Sequence, residues 1–162
     1  MIKLAFHDHA YYNSEIGPIR VEAENGKITL VEFDESRQKY NGEKSQKPGG
    51  AVLECVKQLD EYFRGKRKEF ALDLRLQGTE FQQKVWKTLI DIPYGRTVSY
   101  GDIAHRIGKI GAARAVGNAN SKNRFVVIVP CHRVIGSDGE LVGYAKGLYR
   151  KEYLLKHEKK FL

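Results

Sequence analysis

Between Thr79 and Ser121 the chain is interrupted at intervals that leave room only for short helices. Thr79 can cap a helix, Gln82 stands at capping-box spacing, and Phe81, Val85, Trp86 and Leu89 then recur at helical spacing. Ile92-Pro93-Tyr94-Gly95 ends that helix in a turn. Ser99 starts a second helix over residues 100–107, residues 108–111 form a Gly-bounded turn, and residues 112–121 form a third helix. Two short helices joined by such a turn make a helix-turn-helix candidate. In the third helix Ala112, Ala113, Ala115, Gly117 and Ala119 are small, and Arg114 is the only long side chain before Lys122. A face of that kind permits close approach to a groove, with one Arg able to reach a base stack. It equally suits close helix packing, with Arg114 extending to water.

The first half has a different pattern. Residues 16–23 and 27–33 are strand-like, and Asn25-Gly26 between them is a strong hairpin signal. Residues 37–50 are polar, contain Lys47-Pro48-Gly49-Gly50, and are expected to be a loop. A helix follows with Val52, Cys55, Val56, Leu59 and Phe63 on one face, stopping near Gly65, and residues 70–74 suggest a further strand. No chemical constellation stands out here. This reading places a structural α/β domain at residues 1–75 and a second domain at residues 79–162.

Charge separates the same two halves. Residues 1–78 hold 13 Lys/Arg and 13 Asp/Glu, whereas residues 79–162 hold 15 against 7, so the whole net charge of +8 lies in the second half. Clustered cations gain by releasing counterions around phosphates, which points to a polyanionic partner. Two cysteines, Cys55 and Cys131, make neither a disulfide framework nor a zinc site. The start of the chain lacks a long apolar run, so neither a signal peptide nor a membrane span is expected. A reducing cytoplasmic setting would keep a functional thiol free.

The chemistry concentrates in Val127-Ile128-Val129-Pro130-Cys131-His132-Arg133-Val134. Pro130 cannot continue a central strand, so the expectation is an apolar strand that ends there and presents Cys131 to a pocket. A neighbouring His that takes the thiol proton would favour the thiolate, which is the nucleophile.

With Gly78-Thr79-x-Phe81-Gln82-x-x-Val85-Trp86, Ile92-Pro93-Tyr94-Gly95, Ser99-Tyr100, Ala112-Ala113-Arg114-Ala115-Val116-Gly117, Pro130-Cys131-His132-Arg133-Val134, Gly143-Tyr144-Ala145 and Leu154-Leu155-x-His157-Glu158 in this order, the chain resembles the O6-alkylguanine-DNA alkyltransferases. The resemblance begins near Tyr62-Phe63-x-Gly65; earlier residues match only in length and β/α character. It implies an α+β chain, with a small ribonuclease-H-like α/β domain before a mainly helical, winged helix-turn-helix-like domain. It also implies single-turnover transfer of the alkyl group from O6-alkylguanine, extending to O4-alkylthymine, in duplex DNA to Cys131. The protein would bind the minor groove as a monomer, with clustering along DNA left open, and would use no cofactor or metal.

By the same resemblance His132 takes the Cys131 proton through a water, Glu158 orients the imidazole, and Asn123 braces the active-site turn. Tyr100, Val134, Tyr144, Ala145 and Lys146 belong to the base pocket, with the Val134 carbonyl reading the exocyclic amine and Tyr144 donating to O6. Arg114 fills the vacated stack, and Ala113, Ala115, Gly117, Lys122, Arg124 and Arg133 complete the DNA-facing set. Two departures from the family pattern are Arg124 after Asn123, where Pro is common, and Lys146 at the pocket mouth, where Gly is common. The rival readings are a helix-turn-helix DNA-binding or damage-sensing protein without transfer activity and a thiol hydrolase that turns over. The first is disfavoured by a third helix short of base-reading side chains.

Overall fold

The hairpin forms at Asn25-Gly26, where both residues take positive φ, 50° and 82°. That geometry suits the twist of the flanking strands, and glycine reaches it without steric cost. The computed structural model describes residues 7–36 and 48–162. The chain divides into two compact units, Met1–Leu76 and Gln77–Leu162.

In the first unit β2 (Gly17–Glu24) and β3 (Lys27–Phe33) pair antiparallel, as their alternating apolar residues require. A further strand, β1 (His7–Ser14), pairs along the other edge of β2 and was not expected. Its sequence, HDHAYYNS, carries no apolar alternation because it is an edge strand with no fully buried position. Helix α1 (Gly50–Phe63) packs on the sheet through Val52, Cys55, Leu59 and Tyr62, all fully buried. The buried stripe is therefore rotated from the expected one: Val56 and Phe63 are half-buried, and Phe63 stacks on Tyr12 at 5.6 Å.

Gln58 shares the buried stripe and exchanges two hydrogen bonds with the Ala71 backbone, at 2.9 and 3.1 Å. A glutamine amide thus satisfies the chain where a partner strand would have done so. Residues 70–74 accordingly form no strand; Leu74 makes one isolated parallel bridge to Ile28. Of the expected loop at 37–50, residues 37–47 lie outside the described residues.

The second unit is built from α2 (Glu80–Ile90), α3 (Tyr100–Arg106), α4 (Ala113–Ser121) and α5 (Leu148–Lys160). Both sides of the Thr79–Gln82 capping box form. Ser99 and Asp102 make a second box at the start of α3. Trp86 Nε1 donates to the Ala119 carbonyl at 2.9 Å, tying α2 to α4. The two-residue strands β4 (Val98–Ser99) and β5 (Val134–Ile135) pair in parallel and anchor the start of α3 beside the Cys131 segment.

The apolar run before Pro130 is not a strand. Phe125, Val126, Val127, Ile128 and Val129 are all buried, but the backbone coils through tight turns. Ile128 N–H donates to the Val126 carbonyl at 2.8 Å, closing a three-residue turn about Val127, whose φ is 70°. Cys131 N–H donates to the Val129 carbonyl at 2.8 Å, closing another about Pro130 at φ −80°, ψ 63°. A β-branched residue at positive φ costs on the order of 1–3 kcal/mol and persists only where its surroundings impose it. Here Asn123 imposes it. Its Oδ1 accepts from Phe125 N–H at 2.9 Å and its Nδ2 donates to the Val129 carbonyl at 2.9 Å. Strand-forming side chains thus fill the core while one asparagine supplies the hydrogen bonds a neighbouring strand would have given.

Candidate active site and nucleic-acid face

The two turns deliver Cys131 as the first residue of a short 3-10 turn, Cys131–Arg133, with the thiol free and only 5% of the residue exposed. Burial pushes the thiol pKa up, and contacts with Asn123, Lys151 and Tyr144 pull against that rise without reversing it. The resting group is therefore a thiol. A neighbouring imidazole does not by itself make it a thiolate, contrary to the expectation from sequence.

His132 and Glu158 are wholly buried, and His132 Nε2 lies 2.7 Å from Glu158 Oε1. Burial alone would raise the Glu158 carboxyl. Hydrogen bonds and charge from His132 and Arg133 overcome this and hold it far below the usual carboxylate range. An ionised carboxylate only accepts, so Nε2 must carry the hydrogen. Burial also lowers the His132 pKa against the pull of Glu158, so the ring rests neutral. Its Nδ1 is then a bare lone pair, buried and without a hydrogen-bond partner among the described residues. The adjacent residue is Cys131. A neutral base of fixed tautomer, carried by the residue that follows the buried thiol in the chain, suits proton abstraction through a relay.

Arg133 does not belong to a DNA-facing set. Its side chain is 6% exposed, and its Nε and Nη2 donate to Glu158 at 2.9 and 2.8 Å. Its Nη1 donates to the Ile92 carbonyl at 2.6 Å, and its guanidinium lies over the Tyr94 ring. The Gly95 amide supplies one more donor to Glu158 Oε2 at 3.1 Å. Arg133 thus acts inside the protein, as the counter-charge that keeps Glu158 ionised.

Sequence reasoning also missed Lys151. It is fully buried on α5, and its Nζ donates to the Val134 carbonyl at 2.5 Å and the Val142 carbonyl at 3.0 Å. It ties the segment after Cys131 to the loop before Tyr144, and places a positive charge near the thiol. An i+3/i+4 reading of α5 from Leu154 and Glu158 would have put Lys151 on their inward face, but lysine is so rarely buried that the pattern is easily discounted.

The expected pocket residues come together only in part. Tyr100, Ala113, Arg114, Gly117, Tyr144 and Ala145 line an open groove of about 650 Å³. Behind it, Cys131, Asn123, Asn120, Tyr144 and Lys146 line a small cavity. The Tyr144 hydroxyl is buried against Cys131; burial first, and the charge and hydrogen-bonding contact of Cys131 second, raise its pKa. Tyr100 Oη donates to the Val142 carbonyl at 3.1 Å, so it is engaged with the loop rather than free. The Val134 carbonyl, buried, already accepts from Lys151. Arg114 is exposed on α4; Ala115, Lys122 and Arg124 are also exposed but lie outside the groove lining. No group of three or more His, Cys, Asp or Glu side chains among the described residues is placed to hold a metal ion, and no described helix is long and apolar enough to cross a membrane.

Known proteins share both units. Residues 9–76 match the family model for the ribonuclease-like domain of 6-O-methylguanine DNA methyltransferase, and residues 80–160 match that for its DNA-binding domain. A methylated-DNA–protein-cysteine methyltransferase of Mycobacterium leprae is 49% identical over 147 residues, 91% of this chain and 89% of the relative. The crystal structure of Mycobacterium tuberculosis O6-methylguanine methyltransferase superposes with a TM-score of 0.85 at 45% identity, covering 97% of this chain and 95% of that one. The Mycobacterium tuberculosis OGT in complex with DNA aligns with a TM-score of 0.84 at 46% identity, covering 94% and 93%.

Proposed function

The chain belongs to the 6-O-methylguanine DNA methyltransferase family, and from that membership we propose that it repairs O6-alkylguanine in duplex DNA by moving the alkyl group irreversibly to its own Cys131. The observation that carries this reading is the neutral His132, held in one tautomer by Glu158 with its Nδ1 bare, on the residue that follows a buried free thiol. In the reaction His132 accepts the Cys131 proton, directly or through a water. The sulfur attacks the alkyl carbon, the carbon–O6 bond breaks, and guanine leaves with the bonding pair. The leaving guanine takes a proton at N1 from water, and the imidazolium afterwards returns its own to solvent, so the proton count closes. The imidazolium so formed is stabilised by Glu158, in the manner of a Cys-His-acid set. The thioether has no easy return path, so each molecule acts once.

The target carbon is inaccessible inside a duplex, so the base must leave the stack. Arg114, projecting from α4 beside the groove, suits the task of filling the gap, with Ala113, Ala115 and Gly117 keeping the helix face thin enough to approach the minor groove. Lys122 and Arg124, both exposed, suit phosphate contacts. Tyr100 and Ala145 line the entry, and Tyr144, which lines both the groove and the small cavity, suits donation to O6 as negative charge develops there. Asn123 positions the thiol by holding its turn, and Lys151 steadies the developing thiolate. Lys146, which lines the small cavity with Cys131, limits the size of the O6 substituent. A cytoplasmic setting, reducing enough to keep Cys131 free, completes the proposal.

Intact-protein mass spectrometry after mixing with a duplex containing one O6-methylguanine tests it. The expected result is one added methylene per molecule, located on Cys131. Unmodified protein that still binds the duplex, with Cys131 reduced, would favour a damage-binding module without transfer.

A further inference from the structure

We propose that Asn120 determines which alkylated base is accepted, its side-chain oxygen receiving the exocyclic amine of the flipped guanine. The inference rests on the transfer reading above and adds a residue to it. Asn120 sits near the end of α4, 4% exposed, and lines the small cavity with Cys131 and Tyr144. Its Nδ2 donates to the Cys131 carbonyl at 3.4 Å. A carbonyl needs a donor, so that bond fixes which end of the amide faces Cys131 and leaves Oδ1 on the other side. Oδ1 is buried and has no hydrogen-bond partner among the described residues. An acceptor buried in that state is unfavourable until a donor arrives, and a substrate that brings one is selected over a substrate that does not.

The lesion chemistry then decides the ligand. Alkylation at O6 removes the proton from N1, so the exocyclic amine is the only N–H donor left on the base edge of O6-alkylguanine. O4-alkylthymine has no N–H donor at all. The neighbouring acceptors are partly engaged: the Val134 carbonyl accepts the Lys151 ammonium, and the Cys131 carbonyl accepts Asn120 itself. Asn120 Oδ1, on a residue that lines the cavity, has no such engagement among the described residues. The site is therefore built for guanine lesions and against thymine lesions, through a side chain rather than through backbone alone.

The test compares single-turnover transfer to Cys131 from duplexes carrying O6-methylguanine, O6-methylhypoxanthine (the same base without the amine) and O4-methylthymine. Measurements use the full chain, Asn120→Leu and Asn120→Asp. The parent is expected to prefer O6-methylguanine over both other bases by at least about tenfold. Asn120→Leu is expected to bring the guanine-to-hypoxanthine ratio within about threefold of unity, while Asn120→Asp, which keeps an acceptor, retains the preference. A rate ratio is insensitive to a partly unfolded sample. An unchanged ratio in Asn120→Leu, equal loss on both purines, or a collapse in Asn120→Asp as large as in Asn120→Leu would each overturn the proposal. Transfer from none of the duplexes by the parent would overturn the transferase reading, and this inference with it.

Discussion

Replacing Glu158 with Gln changes one atom type at the point where every neighbour is a donor. The carboxylate accepts from His132 Nε2, Arg133 Nε and Nη2, and Gly95 N–H. Gln has one accepting oxygen and one donating nitrogen, so one of those neighbours must face another donor. If the new amide nitrogen takes the Oε1 position, His132 has to accept through Nε2. The hydrogen then moves to Nδ1, and the bare lone pair there is lost. If it takes the Oε2 position, Arg133 Nε and the Gly95 amide lose the oxygen they share, while Arg133 Nη2 keeps Oε1. In either case the buried Arg133 charge is left without its counter-ion, which costs about 3–5 kcal/mol for pairs of this kind. That is enough to lower the melting temperature of the C-terminal unit by more than about 10 °C. General-base assistance is worth about 10²–10⁴ in rate, and E158Q is expected to lose a factor in that range. The assay is single-turnover transfer from O6-methylguanine duplex at a temperature where circular dichroism shows the variant folded. A folded E158Q with a rate within threefold of the parent would refute the tautomer argument, whatever its melting temperature.

Further outcomes follow from the same geometry. Transfer rate is expected to stay flat between about pH 6.5 and 8.5, because burial holds His132 neutral below its ordinary value and keeps Cys131 a thiol above its own; a rate rising tenfold per pH unit there would contradict this. Stability falls as pH drops through about 6.5, where the unfolded chain takes up a proton that folded His132 refuses. It falls again below about 4.3, where the depressed Glu158 resists protonation that the unfolded chain accepts; urea unfolding from about pH 8 down to about pH 2 reads both. Lys146, half-buried beside the thiol cavity, should slow bulky O6 substituents, so the parent is expected to handle methyl well and benzyl poorly, and Lys146→Gly should speed benzyl transfer; equal parent rates on methyl and benzyl, or no gain in the variant, would contradict this. Arg114→Ala should weaken transfer from duplex by about tenfold or more yet spare single-stranded substrate, since only the duplex needs a filled gap; equal losses on both would refute that role.

Local rules carried the sequence a long way in some places and failed in others for identifiable reasons. The Asn25-Gly26 turn, the Thr79 capping box and the three short helices were legible because each is set by residues within a few positions of one another. Strand β1 was not, since an edge strand of mixed polarity leaves no alternation to detect. Residues 125–129 have the composition of a buried strand and are buried, but their backbone partners come from the Asn123 side chain, a contact that composition does not encode. Cys131, His132 and Glu158 converge at the site, and their adjacency to the motif made the first two obvious. Arg133 was assigned to the wrong face because an arginine in a basic half is usually a surface cation. Its burial depends on Glu158 arriving from a helix 25 positions later. Asn120 and Lys151 were overlooked for the same reason: a polar residue on a helix reads as solvated until the surrounding elements are in place.

The treatment of the thiol follows from single use. A protein that spends its nucleophile once gains nothing from a permanently exposed thiolate, which would react with any small electrophile before meeting DNA. Here burial keeps Cys131 protonated and nearly closed off, while His132, the residue that follows it, is already set in one tautomer. The positive charge of Lys151 and the hydrogen-bonding contacts of Asn123 and Tyr144 favour the thiolate, and they are in place before substrate arrives. In the proposed reaction the flipped base then has to enter, displace the loop contacts that Tyr100 makes to Val142 and Gly143, and present its alkyl carbon to the sulfur. Reactivity is thus conditional on the lesion occupying the pocket, and the elevated resting pKa protects the single turnover without opposing it.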